Sequence, residues 1–113
     1  MRIDLDNKIF QAKSNSENGE VSKATKFHYH QDGIIIWAEY QGGSIIKGNL
    51  MGKIIEDKYL EFVYHHINDQ EELLTGKCKS YPEILDDGRI LLKEFWQWTC
   101  RDFSEGESVL VEQ

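Results

Sequence analysis

The sequence predicts an all-β protein, an antiparallel up-and-down barrel of about eight strands. Short runs rich in β-branched and aromatic residues recur along the chain. Turn residues, mostly Gly, Asp and Asn, separate them. No stretch places apolar residues at i, i+3, i+4 and i+7 between helix caps, so helical signal is nearly absent.

The runs, in order, are Lys8–Lys13, Lys23–Gln31, Ile34–Gln41, Ser44–Ile55, Tyr59–Ile67, Glu71–Tyr81, Gly88–Thr99 and Gly106–Glu112. Turns are expected at Asp32-Gly33, Gly42-Gly43-Ser44, Glu56-Asp57-Lys58, Asn68-Asp69-Gln70 and Asp86-Asp87-Gly88. Asp-Gly between two strand-like runs is a strong hairpin signal, because a type I′ turn needs positive φ at both central residues. A two-residue turn there pairs Gln31 with Ile34, Lys26 with Glu39, Phe27 with Ala38 and His28 with Trp37. Three-residue turns further on set Glu39 against Lys47 and Lys53 against Glu61. Opposite charges then meet on one face in all three hairpins, which is the favourable cross-strand arrangement. A one-residue slip would drive those charges inward.

The other face is therefore the interior. It carries Phe27, Tyr29, Ile34, Ile36, Ala38, Tyr40, Ile46, Gly48, Leu50, Gly52, Leu60, Phe62, Tyr64 and His66. It continues through Leu74, Gly76, Cys78, Ser80, Ile90, Leu92, Glu94, Trp96 and Trp98. Glycines on an inner face suit the curvature of barrel closure. Sequential hairpins with that curvature predict a closed barrel of the lipocalin or calycin kind, which has no free edge strands. A curved open sheet folded on itself is the alternative.

The chain has 113 residues, which predicts one domain spanning 1–113. With 40% hydrophobic residues the composition is globular. The formal net charge of -7, with no Lys/Arg cluster, argues against nucleic acid or an anionic membrane as a partner. Met1–Asn7 is short and polar, and no segment has the length and apolarity of a signal peptide or a membrane span. The expected compartment is the cytoplasm, with Cys78 and Cys100 as free thiols. The two cysteines fall at least four positions apart along paired strands, roughly 13 Å, too far for a bridge. Cys78, on the inner face, is expected to be buried and inert.

A barrel of this size is either filled by side chains or holds one small ligand. Its inner face offers Tyr29, Tyr40, Tyr64, His66, Glu94, Trp96 and Trp98, which suits a pocket with aromatic walls and a few placed polar groups. A buried carboxylate is costly unless bonded, so Glu94 needs a partner, and His66 or a tyrosine hydroxyl is the natural one. The same residues could form a structural network, or Glu94 and His66 could act as general acid and base. A purely structural or protein-binding role is a further alternative. His28 and His30 sit two apart on the outer face with no third ligand at a defining spacing, so no metal is expected. His65 and His66 point to opposite faces and cannot chelate together. No phosphate-binding loop, nucleophile elbow or H-E-x-x-H motif is present.

Three groups of residues occur together in order: Ser14–Val21; Tyr40-Gln41-Gly42-Gly43 running into Lys47–Gly52; and Trp96-Gln97-Trp98-Thr99 followed by Gly106-Glu107-Ser108. Through them nearly the whole chain resembles a family of small bacterial proteins labelled N-acetylglutamate synthase. That resemblance implies an acetyl-transfer enzyme but supplies no catalytic residue to carry over. The chain has no glycine-rich loop opening a helix to hold a nucleotide-bearing cofactor, and none is expected.

Two surface features complete the expectations. The polar loop Ser14–Ser22 is too long for a tight hairpin and either satisfies its own backbone or closes over the interior. On the outer face Ile35, Met51 and Val63 line up across three strands, with Trp37 one step further along beside Asn49 and His65. Such an apolar strip marks a homodimer interface, or is covered by Met1–Asn7 or the Arg101–Glu105 loop.

Overall fold

The computed structural model describes residues 3–113. Its strands are β1 (Lys8–Asn15), β2 (Lys26–Asp32), β3 (Ile35–Gly42), β4 (Ile45–Ile55), β5 (Tyr59–Asn68), β6 (Leu73–Ile84), β7 (Ile90–Trp98) and β8 (Glu105–Glu112). Each pairs antiparallel with the next, and β1 pairs with β8 to close the ring. Closure excludes the open-sheet alternative. Period-two burial builds each wall: in β7, Ile90, Leu92, Glu94, Trp96 and Trp98 are buried while Lys93 and Phe95 are exposed.

The β2–β3 register differs from expectation by two residues. Asp32 pairs with Ile35, so the turn is Gly33-Ile34. Gly33 takes a positive φ of 62° and Ile34 does not, the pattern of a turn with glycine at its first central position. Asp32 keeps extended backbone and joins the strand. Consequently Lys26 faces Gln41 rather than Glu39, Phe27 faces Tyr40 rather than Ala38, and His28 faces Glu39 rather than Trp37. A shift of two leaves every side chain on its expected face.

In the next hairpin, irregularities between Tyr40 and Gly42 and between Ile45 and Lys47 move Glu39 opposite Asn49 instead of Lys47. The second irregularity turns Ile45 inward and leaves Ile46 58% exposed. Ile34, in its turn, is 59% exposed. Both had been expected inside. Lys53 does face Glu61.

The end of the barrel carrying the β2–β3, β4–β5 and β6–β7 turns is closed by the segment before β1. Ile3 and Leu5 are buried there. The Ile3 amide donates to Asp57 Oδ1 at 3.1 Å, and the Leu5 amide donates to Gln31 Oε1 at 2.8 Å. Gln31 Nε2 donates back to the Ile3 carbonyl. Residues 3–7 thus cover a barrel end and not the outer strip. The remainder of the expected Met1–Asn7 cover, Met1 and Arg2, lies outside the described residues.

Inner-face glycines serve the aromatic rings as well as curvature. A Cβ at Gly48 would overlap the Tyr40 ring, and one at Gly106 would overlap the Trp96 indole. Cys78 is buried and Cys100 half-buried, both free thiols. Burial pushes the Cys78 thiol well above its ordinary value, so it is a poor nucleophile.

Candidate functional site

The opposite end is the mouth, where the β1–β2 loop folds inward between the other turns. Asn15, the last residue of β1, anchors that loop. Its Oδ1 accepts from Trp96 Nε1 at 3.0 Å and from the Ser16 amide, while its Nδ2 donates to the Val21 carbonyl at 2.9 Å. Trp98 Nε1 donates to the Asn18 carbonyl at 3.0 Å. Each tryptophan presents an apolar body to the interior and spends its single N–H on the loop. The loop therefore satisfies its own backbone and also closes over the interior; the two expectations for it are both met. Glu17 is exposed.

A polar chain crosses the mouth. Tyr40 Oη lies 3.0 Å from His66 Nδ1, and His66 Nε2 lies 2.7 Å from Glu20 Oε1. Asn68 Nδ2 donates to Glu20 Oε2 at 2.9 Å. Burial lowers the His66 pKa below its ordinary value, against the raising effect of the bonded Glu20 carboxylate. The neutral ring fits the chain in one direction: Tyr40 donates to Nδ1, and Nε2–H donates to Glu20. Burial also raises Tyr40 and Tyr64, which stay protonated.

Deeper in, Glu94 sits between Ser80 and Ser108, its direct partners on β6 and β8. Ser108 Oγ donates to Glu94 Oε1 at 3.3 Å. Glu94 Oε2 has no partner, and neither do Ser80 Oγ and Tyr29 Oη. Burial pushes the Glu94 pKa up to about 7, although the nearby Ser80 hydroxyl, which makes no hydrogen bond, and the bonded Ser108 hydroxyl both pull it down. Its partner is thus a serine, not His66 or a tyrosine. Cross-strand register favours this, because Ser80 of β6 and Ser108 of β8 stand directly beside Glu94 in the sheet. No hydrogen bond joins Glu94 to His66.

Between these groups lies a cavity of about 40 Å³, lined by Tyr40, Tyr64, His66, Glu94, Trp96 and Trp98 among others. Six of the seven residues singled out in the sequence meet there. Tyr29 is fully buried instead in the layer against Phe10, whose ring meets it edge-on at 5.3 Å. The lining also includes Asn15, Gly19, Glu20, Val21, Phe27, Phe62 and Ser108. Phe27 and Phe62 were legible as inner-face residues. Nothing in the sequence says that Glu20 turns inward, since a glutamate in a polar loop reads as solvated.

A closed eight-stranded antiparallel barrel with an aromatic-walled cavity behind one end defines a calycin-type architecture. Residues 3–113 match the family described as Avidin-like protein, and the chain belongs to that family. Among solved structures it is similar to apo shwanavidin, with a TM-score of 0.67 and 10% identity over 100% of both chains. At that identity the likeness shows the fold. No curated protein matches the sequence. The family match covers almost the whole chain and overturns the resemblance to the N-acetylglutamate synthase group. An acetyltransferase of the usual fold needs a helix opened by a phosphate-cradling loop, and among the described residues all the regular elements are strands.

Proposed function

We propose that the barrel binds one small molecule with an apolar body and a hydrogen-bond-donating end, such as an amide or ureido N–H. The observation that carries this is Glu94: a buried carboxylate whose second oxygen has no partner and which lines an aromatic-walled cavity. A ligand N–H on that oxygen would offset the cost of an unpaired buried acceptor. Among the described residues no lysine or arginine lines the cavity, so none of them favours an anionic group at depth. The volume of about 40 Å³ admits a water or two, not a ligand. Binding therefore requires Glu20 and Val21 to withdraw from the mouth.

Biotin is the first probe, given the family, followed by small cyclic ureas and amides. Isothermal titration is expected to show one site per chain, weakened at least tenfold by Glu94→Leu, with tryptophan fluorescence shifting as Trp96 and Trp98 lose their loop contacts. If no probe binds the wild type, or if Glu94→Leu binds equally well, the reading fails.

The outer wall supports a second reading, a homodimer. Ile35, Met51, Val63 and Phe95 are exposed, and Trp37 pairs directly with Met51, which pairs with Val63. The register thus sets Trp37 in the row of Met51 and Val63, not beside Asn49 and His65. Ile35 lies one row away, facing Lys53. Lys53, Glu61, Lys77 and Glu105 line the same shallow depression as Ile35, Met51 and Val63. Mixed charge around an apolar centre is self-complementary about a two-fold axis. Sedimentation of the wild type is expected to show a dimer that Met51→Lys dissociates; a monomeric wild type would sink the idea.

A further inference from the structure

The outer wall of the β2–β3 hairpin carries a group of side chains that the ligand site does not use. His28 and His30 alternate with Tyr29 and so share the outer face of β2. The register places Glu39 of β3 directly opposite His28. His30 Nε2 lies 2.8 Å from Glu39 Oε1. The two imidazoles are 4.5 Å apart between centroids, tilted by 43°. Each of the three residues offers a ligand atom, and those atoms all lie within 4.8 Å of one another.

We propose that His28, His30 and Glu39 form a divalent transition-metal site, with zinc the best-matched ion. Zinc bound by nitrogen and oxygen at about 2.0–2.1 Å in a tetrahedron holds its ligand atoms roughly 3.3 Å apart. The three side chains reach that spacing by small rotations on a rigid pair of strands. Two imidazoles and one carboxylate select zinc, copper or nickel over calcium and magnesium, which take oxygen ligands. The supports of the two rings are already in place. Asn7 Oδ1 lies 2.8 Å from His28 Nε2; an amide oxygen only accepts, so Nε2 carries the proton and Nδ1 keeps a free lone pair. A ligating histidine commonly donates its other N–H to an oxygen in this way. The His30 ring stacks on Trp37 at 5.5 Å and 21°. On binding, the ion takes the place of the proton between His30 Nε2 and Glu39, and that ring carries its proton on Nδ1. Solvent fills the remaining coordination position, because Glu39 is exposed and the histidines are half-buried.

The test is titration of the chelator-treated full-length chain with zinc alone, followed by calorimetry and by thermal unfolding. One equivalent is expected to bind in the micromolar range and to raise the unfolding temperature, since an ion that prefers the folded chain stabilises it by mass action. His30→Ala and Glu39→Ala should each weaken binding at least tenfold. His65→Ala removes another exposed imidazole and should leave binding unchanged. All three positions are on the surface, and circular dichroism verifies that each variant is folded. Copper in place of zinc gives an independent readout, because a paramagnetic ion beside Trp37 quenches its fluorescence. No saturable binding, or binding that survives loss of His30 and of Glu39, would overturn the proposal.

Discussion

Glu94→Gln should change how the barrel's stability depends on pH, by an amount the structure sets. The native carboxyl has its pKa raised from 4.5 to about 7, chiefly by burial. A raised folded-state pKa means that the folded chain holds the proton more tightly than the unfolded one. Glu94 therefore contributes its full share of stability below about pH 4.5, and loses it as pH rises to about 7. At about 1.4 kcal/mol per pKa unit, the loss is about 3 kcal/mol. Glutamine keeps the shape and accepts from Ser108 but never ionises. His66 titrates in both proteins, so its effect cancels in the difference between them. The assay is urea or thermal unfolding of both proteins between about pH 4 and pH 9. The variant's advantage should grow by about 3 kcal/mol, or roughly 10 °C in unfolding temperature, between the acid and alkaline ends. A gap that stays constant across that range would show that Glu94 does not titrate as an isolated buried acid, and would refute the reasoning.

Gly106→Ala places a methyl group in the Trp96 indole and should cost about 1–3 kcal/mol in urea unfolding, the usual penalty of overpacking; a neutral result would mean that the ring is not pinned over that glycine. Glu20→Ala breaks the bonds to His66 and Asn68, and hydrogen exchange in residues 16–22 should accelerate while the β-strand amides stay protected. The lowered His66 pKa predicts that stability falls as pH drops below the ordinary histidine value, because the unfolded chain takes up a proton that the buried ring resists. His66→Gln should flatten that acid limb, and an unchanged limb would place the titration elsewhere.

Much of the fold was legible because period-two alternation survives errors of register. The β2–β3 hairpin shows this: the turn was placed one residue early, which moved every cross-strand pair by two, yet every side chain from Lys26 to Gln31 kept its face. Where an irregularity breaks the period, as between Ile45 and Lys47, reading by alternation put the wrong isoleucine inside. The deep site was legible for the same reason, since Glu94, Trp96 and Trp98 are alternate positions of one strand. The mouth was not, because Glu20 gets there through the path of a loop, and no periodicity governs a loop. Pair identities were lost where faces were kept. The opposition of His28 and Glu39 became visible only with the true register.

Ring closure also has consequences for the order of folding. Most strand pairings join neighbours along the chain, but β1 and β8 pair Phe10 with Glu112, about a hundred residues apart. Neighbouring hairpins can form at modest loop-closure cost, whereas this seam waits for the two ends of the sequence to meet. Until then the partly formed sheet has two bare flanks, on β1 and on β8, that can recruit a strand from another molecule. Aggregation during refolding should therefore depend more on the β1–β8 seam than on any single hairpin. Weakening that seam would lower the yield of native protein well before it lowered the stability of the finished barrel.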